Sequence, residues 1–158
     1  MKENRIVPDI VKSISNDKKL ILRSPKATRP WQHVLEPLSG YLLLGHKLIN
    51  NELKSSVLPS WNFGPKIKNC KNVRFITKLI FKNWKKPNLK ISIDRKRIYH
   101  ESKFLSLNIL KAKKELNWEP RLSLVETFKL TTDWYKFYFD NKNIENFTSK
   151  QIDFFLNK

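Results

Sequence analysis

At 158 residues, with 40% hydrophobic and 12% aromatic side chains, the chain can build one domain with a core but not two, and wholesale disorder is excluded. Cys70 is its only cysteine, which excludes an internal disulfide and a cysteine-rich metal cluster and makes a reducing, cytoplasmic setting the default expectation. The formal charge of +18 attracts nucleic acid, anionic membranes and phosphorylated small molecules alike, so charge alone selects none of them.

The spacing of Ile6, Ile10 and Ile14 predicts an amphipathic helix over 6–15, with Pro8 tolerated in its first turn. Residues 19–23 form a compact apolar strand that Ser24 and Pro25 stop, and residues 31–34 alternate as a second short extended piece. From Glu36 the pattern turns helical through Leu38, Tyr41, Leu42 and Leu48 as far as Asn50, with Pro37 in the first turn. Residues 61–65 end a strand, Val73, Ile76 and Ile80 mark a helix over 73–84, and 89–93 alternate as a strand. Asn108 can cap a helix that runs to Leu116, and Ser123 with Glu126 has capping-box spacing ahead of a helix from Leu124 towards Phe139. The tail from Thr148 repeats the helical theme more weakly. These elements predict one α/β unit over residues 1–158, with no internal repeat and no linker.

Residues 1–5 are polar and meet Pro8, so no apolar signal core is expected there, and the run around 42–44 is far below the roughly 20 apolar residues that span a membrane. No membrane partner is expected. Lysine outnumbers arginine 25 to 7 and is spread from Lys2 to Lys158. Scattered charge of this kind is a solvated face, and it weakens a nucleic-acid reading. A polyanion binder remains the alternative function, and its mark is a steep loss of affinity with salt.

His33 and His46 have no cysteine, histidine or carboxylate partner at ligand spacing, so no metal site is predicted. Tyr99 with Lys103 and Tyr138 with Lys142 match Tyr-x-x-x-Lys, a spacing that so many lysines produce by chance. The five tryptophans fit core positions better than stacking platforms. Arg29 is the most informative single residue: beside a strand, a guanidinium can grip a diphosphate through two parallel hydrogen bonds, whereas the bland reading is a solvated or carboxylate-paired arginine.

Residues Thr28, Arg29, Pro30, Trp31, Gln32 and His33, continuing through Val34, Leu35, Glu36, Pro37 and Leu38, form the densest constellation in the chain. This run resembles a signature of the CDP-glucose 4,6-dehydratases, extended short-chain dehydrogenase/reductases acting on nucleotide sugars. Residues 4–9, 61–65 and 116–120 resemble further segments of that family in the same order, so the resemblance covers nearly the whole chain. It implies an α/β fold: the C-terminal, substrate-binding part of an extended short-chain dehydrogenase/reductase, without most of the N-terminal Rossmann domain.

The resemblance further implies a CDP-sugar as ligand, with Arg29 on the diphosphate and Gln32, Arg5 and His100 as additional substrate-binding residues. In the intact family NAD oxidises C4 of the sugar, water leaves across C5 and C6, and hydride returns to C6. Those steps use a glycine-rich turn and a Tyr-x-x-x-Lys pair. With only Gly40, Gly45 and Gly64, this sequence offers no such turn, and no cofactor is expected to bind this chain alone. A separate N-terminal dinucleotide-binding chain is then the expected partner, the sequence being a split or truncated fragment that cannot dehydrate its ligand unaided. Residues 94–98 and 108–112 depart from the family pattern, the former from a more acidic, proline-rich loop ahead of His100 and Glu101.

Overall fold

Ile10, Val11 and Ile14 turn one face of helix α1 (Ile6–Ser15) inwards, and Leu20 and Leu22 do the same for strand β1 (Leu20–Leu22) while Ile21 points out. That burial joins them to Ile76, Ile80 and Phe81 of α3 (Val73–Trp84) and to Leu124 and Phe128 of α5 (Leu124–Phe139), which together make the larger of two core clusters. The computed structural model describes residues 5–53, 60–86, 88, 90–94, 102–140 and 143–158.

The second cluster gathers Phe63, Ala112, Leu116 and Trp118 against Leu43 and Leu44, so it lies between α2 (Leu35–Ile49) and α4 (Leu110–Leu116). Strand β2 (Thr28–Pro30) runs antiparallel to β3 (Cys70–Asn72), with Arg29 opposite Lys71. On its other side Thr28 bridges Phe104 in parallel, its N–H donating to the Lys103 carbonyl at 2.9 Å. Strand β4 (Ile91–Ile93) pairs in parallel with β1, Leu20 facing Ile91 and Leu22 facing Ile93. The chain closes with α6 (Ile144–Leu156), packed on α5.

Helices α1, α3 and α5 occupy the spans that the periodicity predicts. Asn72 accepts from the Phe75 N–H at the start of α3, and Ser123 and Glu126 form the reciprocal capping box of α5. Asn108 holds the start of α4 by accepting from the Leu110 N–H at 3.0 Å, and Asn117 ends that helix in the left-handed region, φ 56°.

Three expectations are corrected. The extended piece expected at 31–34 lies three residues earlier, at Thr28–Pro30, because the Trp31 N–H turns back onto the Arg29 carbonyl and ends the strand. Residues 61–65 join no ladder among the described residues; they are held by side chains, with the Asn62 amide on the Asn108 carbonyl at 3.4 Å and the Phe63 carbonyl accepting from Gln32. The final helix starts at Ile144, since Asn143 caps it by accepting from the Asn146 N–H. Of the strand expected at 89–93, Leu89 lies outside the described residues.

Candidate functional site

Strand β2 and the loop after it carry the constellation. Trp31 is pinned there at two points: its indole N–H donates to the Lys71 carbonyl at 2.7 Å, and its ring meets Phe128 edge-on at 6.0 Å. Gln32 follows, donating from Nε2 to the Phe63 carbonyl at 3.0 Å, while its buried Oε1 has no hydrogen-bond partner. His33 is buried, and burial pushes its imidazole below the ordinary histidine pKa. It is therefore neutral near pH 7, and its Nδ1 accepts from the Leu35 N–H.

Glu36, in the first turn of α2, is only 1% exposed. Its Oε1 accepts from the N–H groups of Arg121 at 2.9 Å and Leu122 at 2.6 Å, and its Oε2 from Arg121 at 3.1 Å. The carboxylate thus fastens the start of α2 to the loop that leads into α5. Burial raises its pKa, opposed by the hydrogen bonds from Leu122 and Arg121 and by the charges of Arg121 and Lys158. In the sequence Glu36 stands within the motif run with no role assigned to it. Its signal was an acid in the first turn of an otherwise apolar helix.

A cavity of about 420 Å³ lies beside this loop. Trp31, Gln32 and His33 form one wall, Phe128, Trp134 and Tyr135 of α5 another, and Val7 and Gln151 contribute from α1 and α6. The volume suits a small molecule or an inserted side chain, and the lining mixes aromatic and aliphatic side chains with polar ones, Gln32, His33 and Gln151 among them.

The expected ligand residues are placed unevenly. Arg29 sits in β2, half-buried, its Nη1 donating to the Thr28 carbonyl at 2.9 Å and the Ser102 carbonyl at 2.8 Å, which orients the guanidinium. Gln32 stands three residues further on, at the cavity. Arg5 is exposed at the N-cap of α1, two residues before Val7. His100 lies outside the described residues, as do Tyr99 and Lys142 of the two chance Tyr-x-x-x-Lys matches. Trp118 is buried and Trp61 and Trp84 pack against the two cores, as expected, whereas Trp134 lines the cavity and Trp31 both packs on the larger core and lines it.

The three glycines do not fit a dinucleotide. None has a positive φ, and Gly40 and Gly64 are packing positions where a Cβ would press on Phe63 and Leu107. None therefore opens a turn that brings backbone N–H groups onto a pyrophosphate. Among the described residues no cluster of histidine, cysteine and carboxylate could hold a metal ion, and no helix is long and apolar enough to cross a membrane.

Comparison with known proteins finds a curated relative by sequence and a shared fold among solved structures. No family model matches the chain. A CDP-glucose 4,6-dehydratase of Salmonella typhimurium is 34% identical over 154 residues, which is 98% of this chain and 42% of that enzyme. The chain thus spans less than half the length of this curated relative. An epimerase from Methanothermobacter thermautotrophicus superposes with a TM-score of 0.73 at 18% identity, covering 92% of this chain and 40% of that one. UDP-glucuronic acid 4-epimerase from Bacillus cereus, solved with UDP-glucuronic acid and NAD, gives 0.69 at 20% identity, covering 86% and 41%. dTDP-glucose 4,6-dehydratase from Bacillus anthracis, solved with NAD, gives 0.68 at 22% identity, covering 84% and 39%. By sequence along nearly its whole length, and by fold, the chain is a homologue of the C-terminal part of CDP-glucose 4,6-dehydratase within the extended short-chain dehydrogenase/reductases.

Proposed function

We propose that this chain is the sugar-nucleotide-binding part of a CDP-glucose 4,6-dehydratase-like lyase, and that it grips the diphosphate of a CDP-sugar through Arg29. The observation that carries the reading is the identity of 34% sustained over 98% of the chain, with the Arg29 to Leu38 run inside it. Two features of the fold support it. The Arg29 guanidinium is oriented by two backbone carbonyls, and Lys71 stands directly opposite in the ladder. Two cationic side chains at neighbouring positions of one ladder raise the local positive potential, which favours an anionic ligand.

Gln32, at the cavity wall, and Arg5, ahead of α1, are the accompanying ligand residues, with His100 a further candidate. NAD and the catalytic pair would come from a dinucleotide-binding part outside these residues, because the glycines here do not fit that cofactor. This chain alone is then expected neither to bind NAD nor to dehydrate CDP-glucose.

Calorimetric titration of wild type and Arg29→Lys with CDP-glucose, and with random-sequence DNA, at low and moderate salt tests the assignment. CDP-glucose should bind wild type weakly and Arg29→Lys roughly tenfold more weakly, about 1.4 kcal/mol, because lysine keeps the charge but loses the fork. The formal charge of +18 is also compatible with a second reading, a polyanion binder. That reading predicts salt-sensitive DNA binding that Arg29→Lys hardly changes, and no CDP-glucose signal in either protein.

A further inference from the structure

Lysine is spread along the whole chain, but acids are not: residues 53–93 contain ten lysines and arginines and no aspartate or glutamate. Helix α3 lies within that run. Ile76, Ile80 and Phe81 turn its apolar side into the larger core, which leaves Arg74, Lys78 and Lys82 exposed on the outer side. Set four residues apart, these three cations form one stripe, each about 6 Å further along the helix axis than the last. Like charges at that spacing destabilise a helix. Nothing nearby relieves them: among the described residues no ion pair reaches any of the three, and the flanking Lys66 and Lys86 pair elsewhere, with Glu119 and Asp17. At the start of the stripe the Phe75 ring is 47% exposed, with the Lys71 ammonium 6.0 Å from its centre.

We propose that the outer face of α3 is a track for single-stranded nucleic acid, with backbone phosphates on Arg74, Lys78 and Lys82 and a base stacked on Phe75. Three observations select this ligand. The stripe presents one cation after another in a line, as a strand presents its phosphates, whereas a lone phosphate or a nucleoside diphosphate would engage only part of it. An exposed aromatic ring beside such a line is a platform on which any base can stack, and no acid within residues 53–93 repels the backbone. An anionic membrane fits less well, because a helix lying in a membrane surface buries its apolar side in the lipid, and that side of α3 is already buried in the core. The track is additional to the sugar-nucleotide site and does not rest on it, since Arg29 belongs to β2.

The test is fluorescence anisotropy of a labelled oligothymidylate of about 20 nucleotides, titrated with the full chain between about 50 and 200 mM salt. Wild type should bind and lose affinity steeply as salt rises. Arg74→Gln, Lys78→Gln and Lys82→Gln together should weaken binding roughly tenfold or more at unchanged circular dichroism. They should also flatten the slope of log affinity against log salt by about 2, since each single-strand phosphate contact contributes about 0.7. Lys19→Gln, Lys114→Gln and Lys150→Gln together remove the same charge from exposed sites on other parts of the chain, and should cost less than about threefold. Phe75→Ala should weaken binding roughly fivefold or more with the slope unchanged, because stacking releases no counterions. Absence of binding by wild type at low salt, equal losses in the two triple variants, or displacement of the strand by CDP-glucose overturns the proposal. So does binding of wild type to phosphatidylserine vesicles but not to the strand, since the stripe would then face a membrane.

Discussion

Glu36 shows how a single side chain can hold two distant segments without belonging to either core. Its oxygens accept from two backbone N–H groups some 85 residues away, so removing the carboxylate leaves the buried Leu122 donor, and the part-buried Arg121 donor beside it, without that acceptor. Glu36→Ala should cost about 2–4 kcal/mol in chemical unfolding, with CDP-glucose affinity falling too because the loop that carries Gln32 loses its anchor. The pH dependence has a definite sign. Burial raises the folded pKa above the ordinary value, so the folded state holds its proton over a range where the unfolded chain has released it. The stability this group contributes is therefore full below the ordinary carboxylate pKa and declines as pH rises through the raised one. Glu126 has the opposite sign: hydrogen bonds from Lys158 and Ser123 hold its pKa to about 2, so its contribution is full above the ordinary value and is lost as pH falls towards 2. Comparing Glu36→Ala with wild type between about pH 4 and 8 isolates the first effect, and a gap that widens with rising pH would falsify it. The capping role of Glu126 is readable from its spacing to Ser123, whereas the partners of Glu36 and the contact of Lys158 with Glu126 are not, because they are fixed only when the chain closes.

Within α2 the same substitution should act in opposite directions at two glycines five residues apart. A Cβ at Gly40 would come within 2.3 Å of the Phe63 ring, so Gly40→Ala must displace an aromatic wedged between Tyr41 and Trp118 and should destabilise by about 1–3 kcal/mol. At Gly45 a Cβ meets nothing within 4 Å, so Gly45→Ala should stabilise by about 0.5–1 kcal/mol through the lower backbone entropy of the unfolded chain. Denaturant midpoints for the pair check both signs, and equal shifts would show that helix propensity rather than packing sets the response. The elements themselves were legible in proportion to how local their causes are. Helices α3 and α5 carry their caps and their periodicity within a few residues, and both were read at their observed bounds. The three-residue ladders depend on partners far along the chain, so β2 was read late, at Trp31, and residues 61–65 were read as a strand although side-chain contacts hold them. The run from Thr28 to Leu38 is legible as a family resemblance because it is contiguous in the sequence. The cavity is not, since α1, α5 and α6 supply most of its walls.

At the scale of the whole molecule, 32 lysines and arginines stand against 14 acids, so even complete one-to-one pairing would leave 18 cations unbalanced. Several of the pairs among the described residues are exposed, Lys66 with Glu119 at 3.4 Å and Lys86 with Asp17 at 3.5 Å among them, and pairs of that kind add little stability. The remaining charges repel one another, which penalises the compact state more than the expanded one. Raising salt from about 20 mM to 0.5 M shortens the screening length from roughly 20 Å to about 4 Å and removes most of that penalty. The melting temperature of the isolated chain should therefore rise by several degrees over this range, measured at low protein concentration by circular dichroism. Screening also removes the repulsion that keeps copies apart, so Leu38 and Leu42, 45 and 76% exposed on α2, should promote association at high salt and high concentration. The two effects separate by comparing wild type with Leu38→Glu and Leu42→Glu together: both proteins should gain thermal stability with salt, and only wild type should grow in scattering. A melting temperature that falls or stays flat with salt would mean that the surface charge is already compensated within the fold, and the net charge would then be no guide to the sign of a ligand.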